Sequence, residues 1–228
     1  MSANSTRGRG YLAAMLSATR CVYLSGLGTG TRSAKADALA NWLEPRGVPL
    51  QVVDLRVPDF RAMRVPAMVE AATAALGGPG DRVVVIGTSL GGYVAARLVT
   101  EPRVAGVLLL APVLEAGVVG AGHPGLARGW RALGWVPWWD KTERRVRAVG
   151  ASLLDDLDTL APPPPPGQTP VAIVHGRADR QVRVASSRRY AATHPGVVLA
   201  EVDDGHDLLA SMSAVVGQLQ LLLPCHLA

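Results

Sequence analysis

A serine flanked by glycines stands near the middle of the chain. Ser89 is the centre of the segment Gly-Thr-Ser-Leu-Gly, with Gly87 two residues before it and Gly91 two residues after it. An apolar run, 83–86, precedes this segment, and a helix-like run, 93–100, follows it. A turn between a parallel strand and a helix strains the serine backbone and leaves room only for glycine at the two flanking positions. The pattern predicts a raised serine hydroxyl that can act as a nucleophile, beside helix N–H groups that can bind an oxyanion.

A serine hydroxyl is a weak nucleophile near neutral pH, so Ser89 needs a base and a group that orients the base. Active-site groups of parallel sheets gather beyond the carboxyl ends of the strands. Asp179 follows the predicted strand 170–175, and His206 follows the predicted strand 197–202. These two residues are the candidates, although Asp179 could instead cap the next helix. Three further carboxylates could replace Asp179 or only solvate a loop: Asp203, Asp204 and Asp207.

The other histidines are interpreted as lacking a chemical role. His175 stands at a strand end, where a structural role is expected. His123, His194 and His226 have no partner pattern and are predicted to be surface residues.

Apolar β-rich runs alternate with amphipathic runs along the chain, and this order predicts an α/β fold. The predicted architecture is a three-layer sandwich with a mostly parallel sheet of about six strands. The strand candidates are 20–25, 50–54, 82–87, 104–110, 170–175 and 197–202. The helix candidates are 31–46, 61–76, 90–101, 181–193 and 207–223, with stops at Gly47, Gly77-Gly78 and Gly196.

Residues 112–169 break the alternation. Four of the five tryptophans of the chain lie there, namely Trp130, Trp135, Trp138 and Trp139. The segment could pack as core on the sheet, or it could form a small cap whose aromatic faces bind apolar substrate. In the second case Trp138 and Trp139 are the candidate substrate-binding residues. The proline run 162–166 is predicted to be a stiff extended connector, with SH3-type ligand activity as the alternative.

The bulk composition indicates a compact globular protein. The 228 residues are 49% hydrophobic and 18% charged, which is enough for a sizeable core. The formal charge is +5, but the cations are scattered and aromatic residues make up only 4%, so nucleic-acid binding is not expected. We expect one domain over 20–228 and a flexible extension over 1–19, whose basic, acid-free composition also resembles a transit peptide.

The cysteines do not indicate a cofactor. Cys21 and Cys225 lie near opposite ends of the chain and belong to no metal or redox spacing, so we expect free thiols rather than a disulfide. No metal and no organic cofactor is predicted. No apolar stretch is long enough to span a bilayer, and a cytoplasmic location is expected. The oligomeric state is left open.

Three motifs together resemble the α/β-hydrolase superfamily, in particular its small bacterial esterase-like members. They are Gly87-Thr88-Ser89-Leu90-Gly91-Gly92, His175-Gly176-Arg177-Ala178-Asp179 and Gly205-His206. The resemblance spans residues 20–223 and implies a minimal form of the fold that lacks the first two strands of the family. It implies that Ser89 is the nucleophile, His206 the general base and Asp179 its orienter.

The resemblance also implies an oxyanion hole made of two backbone N–H groups. One comes from Leu90, the residue after the nucleophile, and the other from the loop after the first strand. Many relatives have His-Gly where this chain has Ser25-Gly26. Because a backbone donor needs no particular side chain, Leu27 is the expected second donor, with Gly28 as the alternative.

The expected function is therefore hydrolysis of a carboxylic ester of small or medium size, or of a thioester, through an acyl-enzyme. Peptide and lipid substrates stay open. Two alternatives belong to other classes. The first is a non-catalytic ligand-binding or interaction protein that keeps the fold. The second is a dinucleotide-binding unit built on the glycine-rich loop 26–30 and Asp54, although Thr31 occupies the position where that fingerprint has Gly or Ala.

Overall fold

The structure is a computed structural model that describes residues 19–117 and 124–224. Most of the predicted N-terminal extension lies outside these residues, as do His123, Cys225 and His226. The strands are β1 Arg20–Leu24, β2 Leu50–Val53, β3 Val83–Thr88, β4 Val104–Leu110, β5 Trp135–Asp140, β6 Arg145–Gly150, β7 Val171–Gly176 and β8 Val197–Val202. The helices of the described residues are α1 Ala34–Leu43, α2 Val65–Ala74, α3 Leu90–Arg97, α4 Pro124–Leu133, α5 Ala151–Asp158, α6 Val184–Thr193 and α7 Met212–Leu222.

Six strands form one parallel sheet in the order β2-β1-β3-β4-β7-β8. The predicted α/β class and the predicted strands are confirmed. Because all six strands run the same way, their carboxyl ends meet at one edge, and the segments after β1, β3, β7 and β8 all begin there. The register pairs Leu24 with Gly87, which places the loop after β1 beside the turn after β3.

Both faces of this sheet are buried, since alternate residues of a strand point to opposite sides. In β3, Val83 and Val85 join a core cluster with residues of α2 and α3. Val84 and Ile86 join a second cluster with residues of α1 and α7. Each fully buried side chain of this size contributes about 1.5–3 kcal/mol relative to an exposed one, so the central strands are firmly held.

The predicted stops have the left-handed backbone that ends a helix or turn. Gly47 has φ +67°, Gly77 has φ +78° and Gly196 has φ +103°. At the other end of α1, the Ser33 hydroxyl accepts a hydrogen bond from Ala36 N–H at 3.5 Å. The helices are a few residues shorter than predicted at their ends, because caps rather than apolar periodicity set the boundaries.

The segment 112–169 contains regular structure that the sequence pattern did not predict. Its described part holds α4, an antiparallel hairpin of β5 and β6, and α5. Trp130 is buried and donates its indole N–H to Val149 O at 2.9 Å, which ties α4 to β6. The proline run has neither helix nor strand, and the Tyr93 hydroxyl holds the carbonyl of Ala161 just before it at 2.9 Å.

The described residues contain neither a membrane-spanning helix nor a metal-binding cluster. No helix there is long and apolar enough to cross a membrane. No group of three or more His, Cys, Asp or Glu side chains in the same part of the chain is arranged to hold a metal ion.

Candidate active site

Ser89 occupies the turn between β3 and α3 with φ 54° and ψ −117°, a backbone conformation that L-residues rarely adopt. The neighbouring backbone lies so close to Gly87 and Gly91 that no larger residue fits at either position. A Cβ added to Gly87 would lie 2.3 Å from Gly91 O, and one added to Gly91 would lie 2.2 Å from Leu24 O. No methyl group fits against backbone at these distances. The strained turn after β3 is therefore present, and it raises Ser89 at the carboxyl edge of the sheet.

The loop after β1, residues 25–30, lies directly against Ser89. A Cβ on Gly26 would be 3.1 Å from Ser89 Cβ and 3.7 Å from Ser89 Oγ. The N–H groups of Leu27 and Leu90 make no hydrogen bond within the part of the chain that the structure describes, and the same holds for Gly28. Leu90 is the first residue of α3, where N–H groups have no partner inside the helix. N–H groups without a partner are thus found in the loop beside Ser89 and at the start of α3, which follows Ser89 directly.

Asp179 and His206 are brought together from two different loops. Asp179 follows β7, His206 follows β8, and His206 Nδ1 donates to Asp179 Oδ2 at 2.7 Å. The other carboxylate oxygen accepts from the backbone N–H groups of Gln181 and Val182 at 2.8 and 2.9 Å. Asp179 therefore shapes the turn before α6 and binds the histidine at the same time, but it does not cap α6, whose N-cap is Arg183 without a side-chain cap.

A second histidine, interpreted from the sequence as structural, supports the same carboxylate. His175 is fully buried, and its Nε2 donates to Val182 O at 2.8 Å while lying 3.3 Å from Asp179 Oδ2. Its Nδ1 is 2.8 Å from the hydroxyl of Ser187. Burial acts to raise the pKa of Asp179, but the hydrogen bonds from His175, His206 and Val182 N–H outweigh it and hold that pKa well below its usual range. Asp179 is thus kept ionised beside His206.

The imidazole of His206 is set up as a proton acceptor. Because the carboxylate of Asp179 can only accept, Nδ1 carries the proton and Nε2 has its lone pair free. The structure does not join this nitrogen to the serine: no hydrogen bond connects Ser89 Oγ with His206 Nε2. Such contacts are often long in a free enzyme and shorten when substrate binds.

The three spare carboxylates do not touch His206 in place of Asp179. Asp203 is exposed and pairs with Arg177 at 2.6 Å. Asp204 Oδ1 accepts from Gly205 N–H at 2.7 Å, while Asp207 is exposed. Elsewhere, His194 directly follows α6, is half-buried and makes a local hydrogen bond with Tyr190 O at 2.8 Å.

Lys35 is a charged residue of this region that the sequence pattern did not reveal. It lies in α1, is 8% exposed, and donates from Nζ to Thr88 Oγ1 at 2.8 Å, directly before Ser89. Burial lowers the pKa of Lys35 to about 8, and the charge of Asp207 opposes this shift. A lysine in an amphipathic run is ordinarily read as solvent-exposed, so no sequence signal indicated this position.

The two predicted substrate-binding tryptophans differ in their surroundings. Trp138 lies over the loop 25–30, since a Cβ on Gly28 would be only 2.3 Å from its indole nitrogen. Trp139 is 52% exposed on the opposite face of the hairpin. Next to the loop, a crevice of about 250 Å³, counting its open mouth, is lined by Leu27 and Leu90 together with apolar side chains of the adjoining segments. These are Leu55, Met63 and Met68.

The sheet order, the strained serine turn and the loops that follow β7 and β8 define an α/β-hydrolase fold. Solved structures support this. An alpha/beta hydrolase from Penicillium sp. sh18 matches with a TM-score of 0.72 at 14% identity, covering 91% of this chain and 90% of its own. The monoacylglycerol lipase of Paleococcus ferrophilus matches with a TM-score of 0.66 at 18% identity, covering 89% and 93%. A methylesterase from Arabidopsis matches with a TM-score of 0.64 at 16% identity, covering 90% and 98%.

At these identities the likeness concerns the fold. A family model also matches residues 20–117, and its description is an uncharacterised protein family, UPF0227. The matched part runs from β1 through the serine turn to the end of the segment after β4. No curated protein matches the chain.

Proposed function

We propose that the protein is a serine hydrolase that cleaves a carboxylic ester, or a thioester, with Ser89 as nucleophile, His206 as general base and Asp179 as its orienter. The observation that carries the proposal is that the strained serine turn and the His206–Asp179 pair lie at the same edge of the sheet. One strained turn presents Ser89 to free N–H groups, and the loops after two neighbouring strands hold a histidine on a buried, ionised carboxylate. The hydrolases, lipase and esterase with the same fold support the same class of reaction.

In the proposed reaction, Ser89 Oγ attacks the ester carbonyl carbon while His206 Nε2 takes the hydroxyl proton. The carbonyl oxygen becomes an oxyanion that accepts from the N–H groups of Leu27 and Leu90. His206 then gives its proton to the departing alcohol as the tetrahedral intermediate collapses to the acyl-enzyme. Water then attacks the acyl carbonyl carbon as His206 takes its proton. The acyl–oxygen bond to Ser89 breaks, His206 returns the proton to Ser89 Oγ, and the carboxylic acid leaves. No step needs a metal or an organic cofactor.

The crevice beside Leu27 and Leu90 is the proposed acyl site. Most of its roughly 250 Å³ is the open mouth, and the enclosed part is about 10 Å³, no more than one water molecule needs. Apolar side chains of Leu55, Met63 and Met68 line it together with the polar groups of Ser25 and Arg56, and its small size favours a short acyl group. We therefore expect acetyl to butyryl esters to be better substrates than long-chain esters.

Trp138 is proposed to border the substrate, because it covers the loop that carries Leu27. Trp138→Ala should change the preference among p-nitrophenyl esters of different chain length while Ser89 stays reactive. The more exposed Trp139 gives the matched variant, and Trp139→Ala should change the preference less. If all four Trp→Ala variants of the 130–139 segment kept the wild-type preference with the fold intact, the cluster would be assigned to packing.

The experiment that tests the function is labelling with a fluorophosphonate. This probe captures only a serine with a working base and preorganised donors, because its phosphorus is electrophilic and its oxygen occupies the oxyanion hole. Wild-type protein should be labelled at Ser89, Ser89→Ala should not be labelled, and His206→Ala should react much more slowly. Absence of labelling in folded wild type, with no turnover of short p-nitrophenyl esters, would favour the non-catalytic alternative.

The side chains that pack around the glycine-rich loop 26–30 disfavour the dinucleotide alternative. The space beside Gly28 is filled by Trp138, and the space beside Gly30 is filled by Arg56 and Thr142. The acidic residue of that alternative, Asp54, is bound by the guanidinium of Arg56 at 2.6 Å. A pyrophosphate would need the room that these side chains take.

The cytoplasmic location remains a prediction.

A further inference from the structure

We propose that the hairpin of β5 and β6 positions one side of the oxyanion hole. Asp140, just before the hairpin turn, and Thr142, within the turn, are positioning residues that hold the loop 25–30. They keep this loop in the conformation in which Leu27 N–H points at the reacting carbonyl. The proposal rests on the hydrolase function proposed above. It goes beyond that function, because neither residue touches Ser89, Asp179 or His206.

The loop 25–30 has only two hydrogen bonds of its own to hold its shape. It has no helix or strand, and Gly28 and Gly30 have positive φ values of +79° and +47°. Glycine loses more conformational freedom on ordering than any other residue, so a loop with several glycines needs contacts from outside to stay in one conformation. Within the loop itself, the Ser25 hydroxyl donates to Gly30 O at 2.6 Å, and Thr29 N–H reaches Gly26 O at 3.4 Å.

The hairpin turn supplies the outside contacts. Lys141 N–H donates to Gly28 O at 3.0 Å, and the Thr142 hydroxyl donates to Thr29 O at 2.9 Å. A peptide unit is planar, so fixing one carbonyl also fixes the direction of the N–H in the same unit. The Lys141 bond holds the peptide unit that contains Thr29 N–H, and this N–H in turn holds Gly26 O. The unit of Gly26 O contains Leu27 N–H, which therefore points the opposite way, out of the loop.

The hairpin turn is itself locked by a buried carboxylate. Asp140 is fully buried, and its Oδ1 accepts from the N–H groups of Thr142 and Glu143 at 2.9 and 3.1 Å. Its Oδ2 accepts from Arg56 at 2.9 Å. Arg56 is held in turn by both oxygens of Asp54, directly after β2. A buried carboxylate with all these partners is costly to disturb, because removing a partner leaves charge without compensation.

A continuous set of contacts thus runs from the end of β2 through Arg56 and Asp140 to the hairpin turn, and from there to the loop that carries Leu27. Trp138 adds an apolar contact on Gly28 from the same hairpin. The hairpin is consequently a fixed wall of the site.

The test is a pair of substitutions that separates the hydroxyl of Thr142 from the rest of its side chain. Thr142→Val keeps the shape of the side chain and removes its donor, whereas Thr142→Ser keeps the donor. With p-nitrophenyl acetate, Thr142→Val should lower kcat about tenfold with little change in KM, since an oxyanion is bound only in the transition state and removing one oxyanion-hole donor outright costs about 10²–10³. Thr142→Ser should restore most of kcat. Thr159→Val is the control, because the Thr159 hydroxyl makes the same kind of bond to Asp155 O on an exposed helix end.

A second readout does not depend on activity. Amide hydrogen exchange of peptides covering 24–31 should be faster in Thr142→Val than in wild type, with unchanged exchange in β3 and β4. Asp140→Asn, which keeps the shape and removes the charge, should act in the same direction. The double variant Asp140→Asn/Thr142→Val should lose less than the product of the two single effects, because both act through one set of contacts.

Wild-type kcat together with wild-type exchange in Thr142→Val would overturn the proposal, and so would a lowered kcat that Thr142→Ser does not restore. If wild-type protein hydrolysed no ester, the proposed function would fail. The exchange measurement would then still decide whether the hairpin holds the loop.

Discussion

Asp179 joins two tasks that are usually assigned to different residues. One oxygen of its carboxylate shapes the turn before α6, and the other binds His206. His175 packs behind it, with Nε2 3.3 Å from the same oxygen that binds His206. A carboxylate with this many donors keeps its charge when buried, and a charged Asp179 selects the histidine tautomer that leaves Nε2 free to accept a proton.

Asp179→Asn should lower kcat by orders of magnitude, about 10⁴-fold, because the amide no longer enforces that tautomer. The measurement is turnover of p-nitrophenyl acetate, with the exposed Asp203→Asn as control. Near-normal turnover in Asp179→Asn would show that another carboxylate orients His206, with Asp204 the next to test.

The same variant should show a pH-dependent loss of stability. The folded pKa of Asp179 lies below its unfolded value, so its stabilising effect is fully present above about pH 5 and is lost as the pH falls below about 4 toward the folded pKa. The difference in free energy of unfolding between wild type and Asp179→Asn, from urea titrations, should therefore shrink on acidification. A difference that stayed constant down to pH 3 would contradict this account.

Lys35 has the opposite effect on stability. Its folded pKa of about 8 lies below the value of about 10.5 expected in the unfolded chain, so below pH 8 the buried ammonium costs up to about 3 kcal/mol. Between about pH 8 and 10.5 the unfolded state binds more protons, and this cost is relieved as the pH rises. Lys35→Met should be more stable than wild type by about 1–3 kcal/mol at pH 7, with the gain disappearing toward pH 10.5.

The control for this comparison is Arg128→Met, since Arg128 is exposed on α4 and its removal should leave stability nearly unchanged. Thermal or urea unfolding over pH 6–10 gives both curves. A Lys35→Met protein less stable than wild type at pH 7 would mean that the bond to Thr88 outweighs the cost of burying the charge.

At the scale of secondary-structure elements, the serine turn depends on how closely α3 approaches β1. Gly91, in the first turn of α3, lies against the carbonyls of Leu24 and Ser25, the point where β1 ends and the loop 25–30 begins. The same approach that requires glycine also brings the start of α3 and the loop 25–30 together beside Ser89.

Gly91→Ala should destabilise the protein by about 2 kcal/mol or more and abolish fluorophosphonate labelling, because its Cβ would lie 2.2 Å from backbone. Helix propensity alone predicts the reverse sign. Gly217→Ala in α7 is the matched control, since nothing lies within 4 Å of its Cβ position, and it should gain about 0.5–1 kcal/mol. Equal stability changes in the two variants would show that the close approach is absent in solution.

At the scale of the whole molecule, the segment 112–169 shares a core with the sheet. Trp130 and Val149 of this segment belong to the same buried cluster as Val83 and Val85 of β3. The cluster on the other face contains α1 and α7 instead. Elements that bury their side chains in one cluster are expected to unfold together.

This predicts coincident unfolding transitions by two probes. Trp42→Phe leaves tryptophans only between 130 and 139, so fluorescence then reports on α4 and β5, whereas far-UV circular dichroism reports on all the helices and strands. Urea midpoints from the two signals should agree. A fluorescence midpoint at lower urea would show that α4 and the hairpin open as a separate unit.

Much of this protein could be predicted from local pattern. The apolar runs marked the six strands of the parallel sheet, because burial on both faces demands continuous Val, Ile and Leu. The glycines around Ser89 marked the turn, because their spacing reflects a steric demand within five residues. The order of the motifs placed Asp179 and His206 after neighbouring strands, where a parallel sheet brings loop residues to one edge.

Other features were decided only by the tertiary structure. Several carboxylates stand close to His206 in the sequence, and the direction of two loops decided that Asp179 is the one that binds it. The burial of Lys35 beside Thr88 and the bond from Thr142 to Thr29 join residues separated by 53 and 113 positions. Periodicity shows which side of an element is buried, but not which distant side chain it meets there. That depends on how helices and hairpins pack over the sheet edge, and at this edge the packing decided how the loop beside Ser89 is held.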